Sequence, residues 1–412
     1  MTSNSAPLPV HDDSRARRAV AILVWAQSTL GAQMSVHVIL GGLAGALLAS
    51  DPALATLPIS LTMLGSMLSA PLMSALMGRF GRRSGFVLGA LAGASGAALA
   101  AHAIMEKDFR LFCIASIIMG AYLAAQNFFR FAAADLASPE FRPKAISYVM
   151  AGGLVAAVLG PELVVRFKDM LEPIPYAGGY IALVVLNLVG VIPVLFLDIP
   201  RPPRSPKGQR AGRRWGEILS DRRVIVAMIC AMISYALMNL MMTSTPLAMV
   251  ACGFITDDAA QIVRIHVISM YAPSFFTGTL IARFGAARII AMGLALLAAS
   301  AATGLSGISF GHFGVALALL GIGWNLSFIG ATALLASAHL PEEQARVQGL
   351  NDFLVFGMVT FGSFSSGALM AIWGWEAVTL AMVPALTVAA IALIWLLLDR
   401  QGQLAEPGGA ER

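Results

Sequence analysis

Between Ala19 and Leu398 the chain is a succession of about twelve apolar stretches, each long enough to cross a bilayer and separated from the next by a short connection. A hydrocarbon core about 30 Å thick takes roughly 20 residues of helix. A span in lipid must also satisfy its backbone polar groups internally, which a helix does. With 58% hydrophobic and 12% charged residues, the 412 residues are largely consumed by such spans, and mean hydropathy is +0.79. The expectation is an all-α, multi-pass membrane protein of twelve transmembrane helices with little left for a soluble domain. The run that follows Arg15, Arg17 and Arg18 extends from Ala19 to Leu48. That exceeds the roughly 7–15 apolar residues of a secretory signal, so it reads as the first span.

The basic residues fall on alternate connections. Of the 27 Lys and Arg, 21 lie in the two tails and on every second connection. Only Lys107, Arg110, Arg166 and Lys168 lie on the others, and Arg130 and Arg264 fall within spans. Because Lys and Arg accumulate on cytoplasmic loops, both termini are expected in the cytoplasm, with the chain in a cell inner membrane. The pI near 9.4 then reports topology and calls for no nucleic-acid partner. Cys113, Cys230 and Cys252 are odd in number and show neither a disulfide framework nor metal-ligand spacing. No G-x-x-x-x-G-K-[ST] or His-Glu-x-x-His stretch occurs, so no nucleotide-powered pump, cofactor, metal or enzyme is expected. Energy must come from an ion gradient or from the solute's own.

The longest polar connection, Asp198 to Arg223, carries Pro200, Pro202, Pro203 and Pro206 and separates six spans from six. The expected division is a cytoplasmic tail at 1–18, a six-helix half at 19–198, a basic cytoplasmic linker at 199–223, a second half at 224–398 and a tail at 399–412. Gly78-Arg79-Phe80-Gly81 and Ala282-Arg283-Phe284-Gly285 each follow the second span of their half, an offset of 204 residues (78 to 282). Pro139-Glu140 and Pro341-Glu342 each follow the fourth, an offset of 202 (139 to 341). Two matches at nearly one offset indicate a parallel internal repeat of the kind found in two-halved transporters.

The stretch from Ser74 to Arg83, S-A-L-M-G-R-F-G-R-R, resembles the loop motif G-x-L-x-D-R-x-G-R-R of the major facilitator superfamily. Gly278 to Gly285 is similar to its weaker second copy. The resemblance implies two halves that rock about a midplane cavity lined by the first, fourth, seventh and tenth helices. There are departures. The motif's aspartate is Gly78 in one copy and Ala282 in the other, and its leading glycine is Ser74, so the gating role of that carboxylate does not carry over. The arginines are still placed by resemblance against the cytoplasmic end of the fourth span. A gating cluster of Arg79 or Arg82 with Asp135 or Glu140 is expected; the alternative is that these arginines only enforce topology. The drug-antiporter branch carries an arginine four residues before a glycine of the fourth span, where this chain has Ser116 before Gly120. After Gly160-Pro161 it has Glu162-Leu163 in place of a glycine pair. The stretches from His266 to Gly278 and from Gly349 to Phe353 resemble a bacterial branch of the superfamily associated with riboflavin uptake.

Polar side chains are costly in hydrocarbon and turn towards bundle interiors or water-filled cavities. They occur in every third span: Gln33 and His37 in the first; Gln126, Asn127 and Arg130 in the fourth; Tyr235 and Asn239 in the seventh; Trp324 and Asn325 in the tenth. Gln33 and His37, Gln126 and Arg130, and Tyr235 and Asn239 are four apart, and Asn127 and Arg130 three apart, so each of these pairs shares a helix face. At 1.5 Å per residue, Tyr235 and Asn325 fall ~17–18 Å into their spans, near the midplane. These nine residues are the candidate solute-binding set. The alternatives are that Arg130 pairs with Asp135 or a helix end, that His37 and the amides hold helices together, and that Trp324 packs. Asp352, near the start of the eleventh span, either answers the helix dipole or belongs to a gate.

The expected function is secondary active or facilitative transport of a small planar organic solute by alternating access, with riboflavin or a related vitamin implied by the branch resemblance. The expected partners are that solute, a coupling proton or other ion, and the bilayer, with the protein acting as a monomer. Efflux of drugs or metabolites by the same fold is the first alternative. A non-transporting membrane receptor or scaffold is the second.

Overall fold

The structure, a computed structural model, describes residues 13–51, 54–55, 57–199 and 212–405. Most of the expected N-terminal tail, the linker residues Arg201, Arg204, Lys207 and Arg210, and Arg412 lie outside the described residues.

The first half runs through α1 (Ser14–Thr29), α2 (Ala32–Leu48), α3 (Leu57–Phe80), α4 (Arg82–Met105), α5 (Phe109–Asn127), α6 (Phe129–Leu136), α7 (Arg142–Phe167) and α8 (Ala177–Gly190). After the short α9 (Trp215–Ile218), the second half continues with α10 (Arg222–Ala251), α11 (Thr256–Tyr271), α12 (Ser274–Phe284), α13 (Ala286–Ser306), α14 (Phe310–Ala338), α15 (Gln344–Leu380) and α16 (Met382–Ala405). Among the described residues, eleven helical stretches are long and apolar enough to cross a membrane. The twelfth is the part of α15 ahead of Gly374, whose φ of 76° breaks that helix where the last span begins. The arrangement is the twelve-helix one expected.

Among the described residues several spans are interrupted, three of them close to the polar groups singled out in the sequence. α1 and α2 part at Leu30-Gly31, α5 and α6 at Phe128, and α11 and α12 at Ala272-Pro273, where proline has no N–H to continue the ladder. Each interruption frees carbonyls that lipid cannot satisfy, and side chains meet them. The Tyr122 hydroxyl donates to the Leu30 carbonyl. Asn325 Nδ2 donates to the Met270 carbonyl at 2.6 Å.

The repeat is visible in backbone and contacts. Gly81 (φ 93°, ψ 160°) precedes α4 and Gly285 (φ 83°, ψ 151°) precedes α13, a conformation that glycine adopts without steric cost. Arg79 lies over the Phe80 ring at 5.2 Å, and Arg283 over Phe284 at 5.2 Å.

The halves meet along α3 against α15 and α7 against α12. In the first seam the Ser74 hydroxyl donates to the Ala345 carbonyl at 2.5 Å, and a Cβ on Gly349 would lie 2.9 Å from Ser74 Cβ. In the second, the Gly278 N–H donates to the Ser147 hydroxyl at 2.9 Å. A Cβ on Gly278 would lie 2.5 Å from the Pro143 carbonyl oxygen. Serine and glycine face each other in both seams with the partners exchanged.

The linker is anchored on the same face. Glu343 is buried in a 3-10 turn, Pro341–Glu343. Its carboxylate accepts from Arg213 Nε at 2.9 Å and Nη2 at 2.7 Å, and from the backbone N–H of Arg213 at 2.8 Å and of Leu340 at 3.0 Å. The Arg213 guanidinium is the main reason that the Glu343 carboxyl is held down to about 2, against an opposing contribution from burial.

Two outcomes follow from this packing. Because the atoms facing Gly278 are mostly backbone, Gly278→Leu cannot be relieved by a rotamer change and costs on the order of 1–3 kcal/mol; the Tm of the purified protein drops by several degrees, and an unchanged Tm contradicts the close approach. Glu343 has a depressed pKa, so its stabilisation is fully present above its ordinary value of 4.5 and is lost as pH falls towards about 2. Glu343→Gln therefore lowers Tm at pH 7, and the gap to the parent protein narrows below about pH 4.5; a gap of the same size at pH 7 and pH 3 contradicts the anchoring.

Candidate functional site

Arg130 stands in the first turn of α6, just beyond the interruption at Phe128. Its Nη1 donates to the Asn127 carbonyl at 2.8 Å and to Asn127 Oδ1 at 3.1 Å, meeting the negative end of α5. Its Nη2 donates to Asp352 Oδ1 at 2.5 Å, and the two side chains are 2% and 0% exposed. The Phe131 and Phe328 rings flank the guanidinium at 4.5 Å and 4.7 Å. Asn351 Nδ2 adds a further donor to Asp352 Oδ1 at 2.9 Å. Arg130 comes from the first half and Asp352 from the second, so this buried pair ties the halves together. Removing either partner leaves a buried charge uncompensated, a loss of about 3–5 kcal/mol.

Phe328 continues the site into an aromatic cluster. It is stacked on Trp324 at 5.3 Å and 14°. Tyr235 meets both edge-on, at 5.2 Å from Phe328 and 5.6 Å from Trp324. Phe356 and Tyr271 extend the cluster at 5.9 Å from Tyr235 and 6.0 Å from Trp324. Within these rings and the ion pair, Trp324 Nε1, Arg130 Nε and Asp352 Oδ2 are buried and have no protein partner. Gln126 Oε1 on α5 and Asn239 Nδ2, one turn beyond Tyr235 on α10, are also unpartnered. Rings that can stack, beside polar atoms that still have hydrogen bonds to make, suit a flat solute with its own donors and acceptors.

A second arginine grips α15 one turn earlier. Arg82 Nε donates to Asp135 Oδ2 at 2.9 Å, with side chains 6% and 14% exposed, and Arg82 Nη2 donates to Gln348 Oε1 at 2.5 Å. Of the four residues expected to cluster here, Arg82 and Asp135 meet. Arg79 lies over Phe80, and Glu140 is exposed in the turn after α6 with no ion pair among the described residues. Two of the alternatives left open do not match the geometry. Asp135 is held by Arg82, so Arg130 does not pair with it. Asp352 lies in the third turn of α15, beyond the first turn where a helix dipole acts, and its partner is Arg130.

Three other candidates are turned away from this cluster. Gln33 Oε1 accepts from Asn187 Nδ2 at 2.5 Å, inside the first half. His37 is held between the hydroxyls of Tyr180 at 3.0 Å and Thr62 at 2.9 Å. The space beside these two residues is about 10 Å³, the threshold for a single water. Asn325 is occupied by Met270, Ser274 and Thr277, at 2.6, 2.5 and 2.7 Å, where α11 gives way to α12. Gln126 reaches Gln27 Oε1 at 3.4 Å. The sequence reading missed Gln27, Phe131, Phe328, Phe356, Tyr271 and Gln348 at the site. The one signal for Phe328 is its spacing of four from Trp324, which puts both on one face.

Comparison with known proteins places the chain in a family. The family model described as Major Facilitator Superfamily matches residues 19–270 and 262–412. The chain is 43% identical over 397 residues to the riboflavin transporter RfnT of Brucella anthropi, covering 96% of this chain and 99% of that protein. It is 31% identical over 383 residues to YdeG, an uncharacterized MFS-type transporter of Bacillus subtilis, covering 88% of each. Among solved structures, the human organic anion transporter MFSD10 superposes with a TM-score of 0.74 at 16% identity, covering 92% of this chain and 99% of that one. FucP in its outward conformation gives 0.72 at 16% identity, covering 92% and 97%. At such identities these two likenesses concern the fold. With the family model and a full-length relative in agreement, the chain belongs to the major facilitator superfamily.

Proposed function

We propose that this membrane transporter moves riboflavin, or a closely similar planar heteroaromatic solute, across the cytoplasmic membrane by alternating access. The observation that carries the solute is the 43% identity to RfnT along nearly the whole of both chains. The site is chemically compatible. A fused, flat ring system with carbonyls and an imide N–H can stack against Trp324 and Phe328 and take hydrogen bonds from groups such as Trp324 Nε1. Arg130 supplies the charged donor.

In this reading the halves at 19–198 and 224–398 rock about the Arg130 site, with the linker at 199–223 and both tails in the cytoplasm of a monomeric inner-membrane protein. The face that carries the basic loops is closed by Arg130 on Asp352, by Arg82 on Asp135 and Gln348, and by the two serine–glycine seams. Opening towards that face parts Arg130 from Asp352 and Arg82 from Gln348, while Arg82 and Asp135 stay paired within the first half. A proton arriving on Asp352 would remove the charge that holds Arg130, which offers a route for coupling to an ion gradient. Gln33, His37 and Asn325 then act by fixing the half-bundles, and Gln126, Asn127, Tyr235, Asn239 and Trp324 stay with the solute path.

Uptake of radiolabelled riboflavin by cells that neither make nor import it, and that express this chain, tests both parts of the proposal. Saturable uptake is expected, falling more than about tenfold in Arg130→Ala at equal membrane abundance, since truncating one partner of a buried charge pair costs about 2–5 kcal/mol. No uptake by protein present at normal abundance contradicts the solute. Unchanged uptake in Arg130→Ala contradicts the site.

A further inference from the structure

On the outer side of the bundle, away from the Arg130 site, α1 and α7 leave a groove of about 830 Å³, with Phe275 of α12 at its edge. From α1 it is lined by Arg17, Val20, Ala21, Val24 and Ser28, spaced as one face of a helix. α7 contributes Lys144, Tyr148, Ala151 and Val155. The charge is confined to one end. Arg17 is exposed and lies 5.9 Å over the Phe141 ring; Lys144 is half-buried. Among the described residues neither has a carboxylate partner. Beyond the cations the lining is almost wholly apolar, with Val155 and Phe275 55% and 60% exposed.

We propose that this groove binds an anionic phospholipid, with its phosphate at Arg17 and Lys144 and an acyl chain along Val20, Val24 and Val155. Three features select that occupant. The two unpaired cations complement a net negative headgroup and give no advantage to a zwitterion. They lie on the face of the bundle that carries the basic linker, where the polar headgroups begin. From Arg17 to Ser28 the groove is ~16 Å deep at 1.5 Å per residue, about half of a 30 Å hydrocarbon core and so the depth of one leaflet. A free phosphate would leave the apolar length unused. A basic pocket between transmembrane helices is the usual form of such a site.

Native mass spectrometry of the purified full-length protein, titrated with dioleoylphosphatidylglycerol or dioleoylphosphatidylcholine, tests this. The first adduct is expected to favour phosphatidylglycerol. A cation near the surface contributes about fivefold, so Arg17→Gln with Lys144→Gln weakens phosphatidylglycerol binding about 30-fold and leaves phosphatidylcholine nearly unchanged. Arg18→Gln, which alters the exposed neighbour outside the groove, retains the preference. Ala151→Trp fills the apolar part with both cations intact and also loses phosphatidylglycerol, which carries the test if the double variant does not fold. Equal affinity for the two lipids overturns the proposal, as does full binding by the double variant or by Ala151→Trp, or as large a loss in Arg18→Gln as in the double variant.

Discussion

A guanidinium and a carboxylate 2.5 Å apart, one from each half and both out of contact with solvent, hold this structure in the state observed. Neither charge could occupy the membrane interior alone, because the effective penalty for burying an ion is several kcal/mol even after relaxation. The surroundings are arranged to reduce it. The span carrying Arg130 is broken at Phe128, so the Asn127 carbonyl is free to accept from Arg130, and two phenylalanine rings cover the faces of the guanidinium. An ion pair of this kind is strong when made and can be undone by a proton or a competing ligand, which suits a contact between rigid halves that must part and rejoin.

The remaining contacts between the halves explain how this chain departs from its family's loop motif. Where the motif leads with glycine, the first copy has Ser74, and the space is restored by Gly349 across the seam. In the second copy Gly278 keeps the glycine and faces Ser147. The exchange preserves close approach in both seams and provides a hydroxyl in each. The motif's aspartate is replaced by Gly78, yet Arg82 has a carboxylate, supplied by Asp135 at the end of the fourth span.

Much of this was legible in the amino-acid order. Span number and the repeat follow from apolar length, loop charge and motif position, and the family resemblance placed a cluster of Arg79 or Arg82 with Asp135 or Glu140 where the structure joins Arg82 to Asp135. Helical spacing grouped Tyr235 with Asn239 and Gln126 with Arg130, but it could not tell which neighbour each face would meet. Gln33, His37 and Asn325 share the spacing of the site residues and turn instead to Asn187, to Thr62 and Tyr180, and to the interrupted α11. Phe131 was invisible, and Phe328 had only its spacing of four from Trp324 to mark it, because an aromatic residue in an apolar span has no contrast with its background. For Asp352 the helix dipole and a gate both stayed open, because sequence shows its distance from a helix start and hides the arginine 222 residues away.

The central claim is that the Arg130 and Asp352 pair keeps the basic-loop face closed. It is tested most directly by pulsed EPR distances between spin labels at Ser84→Cys and Arg288→Cys, at the starts of α4 and α13, in protein whose three native cysteines are replaced. The parent protein is expected to show a short, dominant distance, and Asp352→Asn a second, longer population at its expense. An identical distribution in the two proteins would contradict the account.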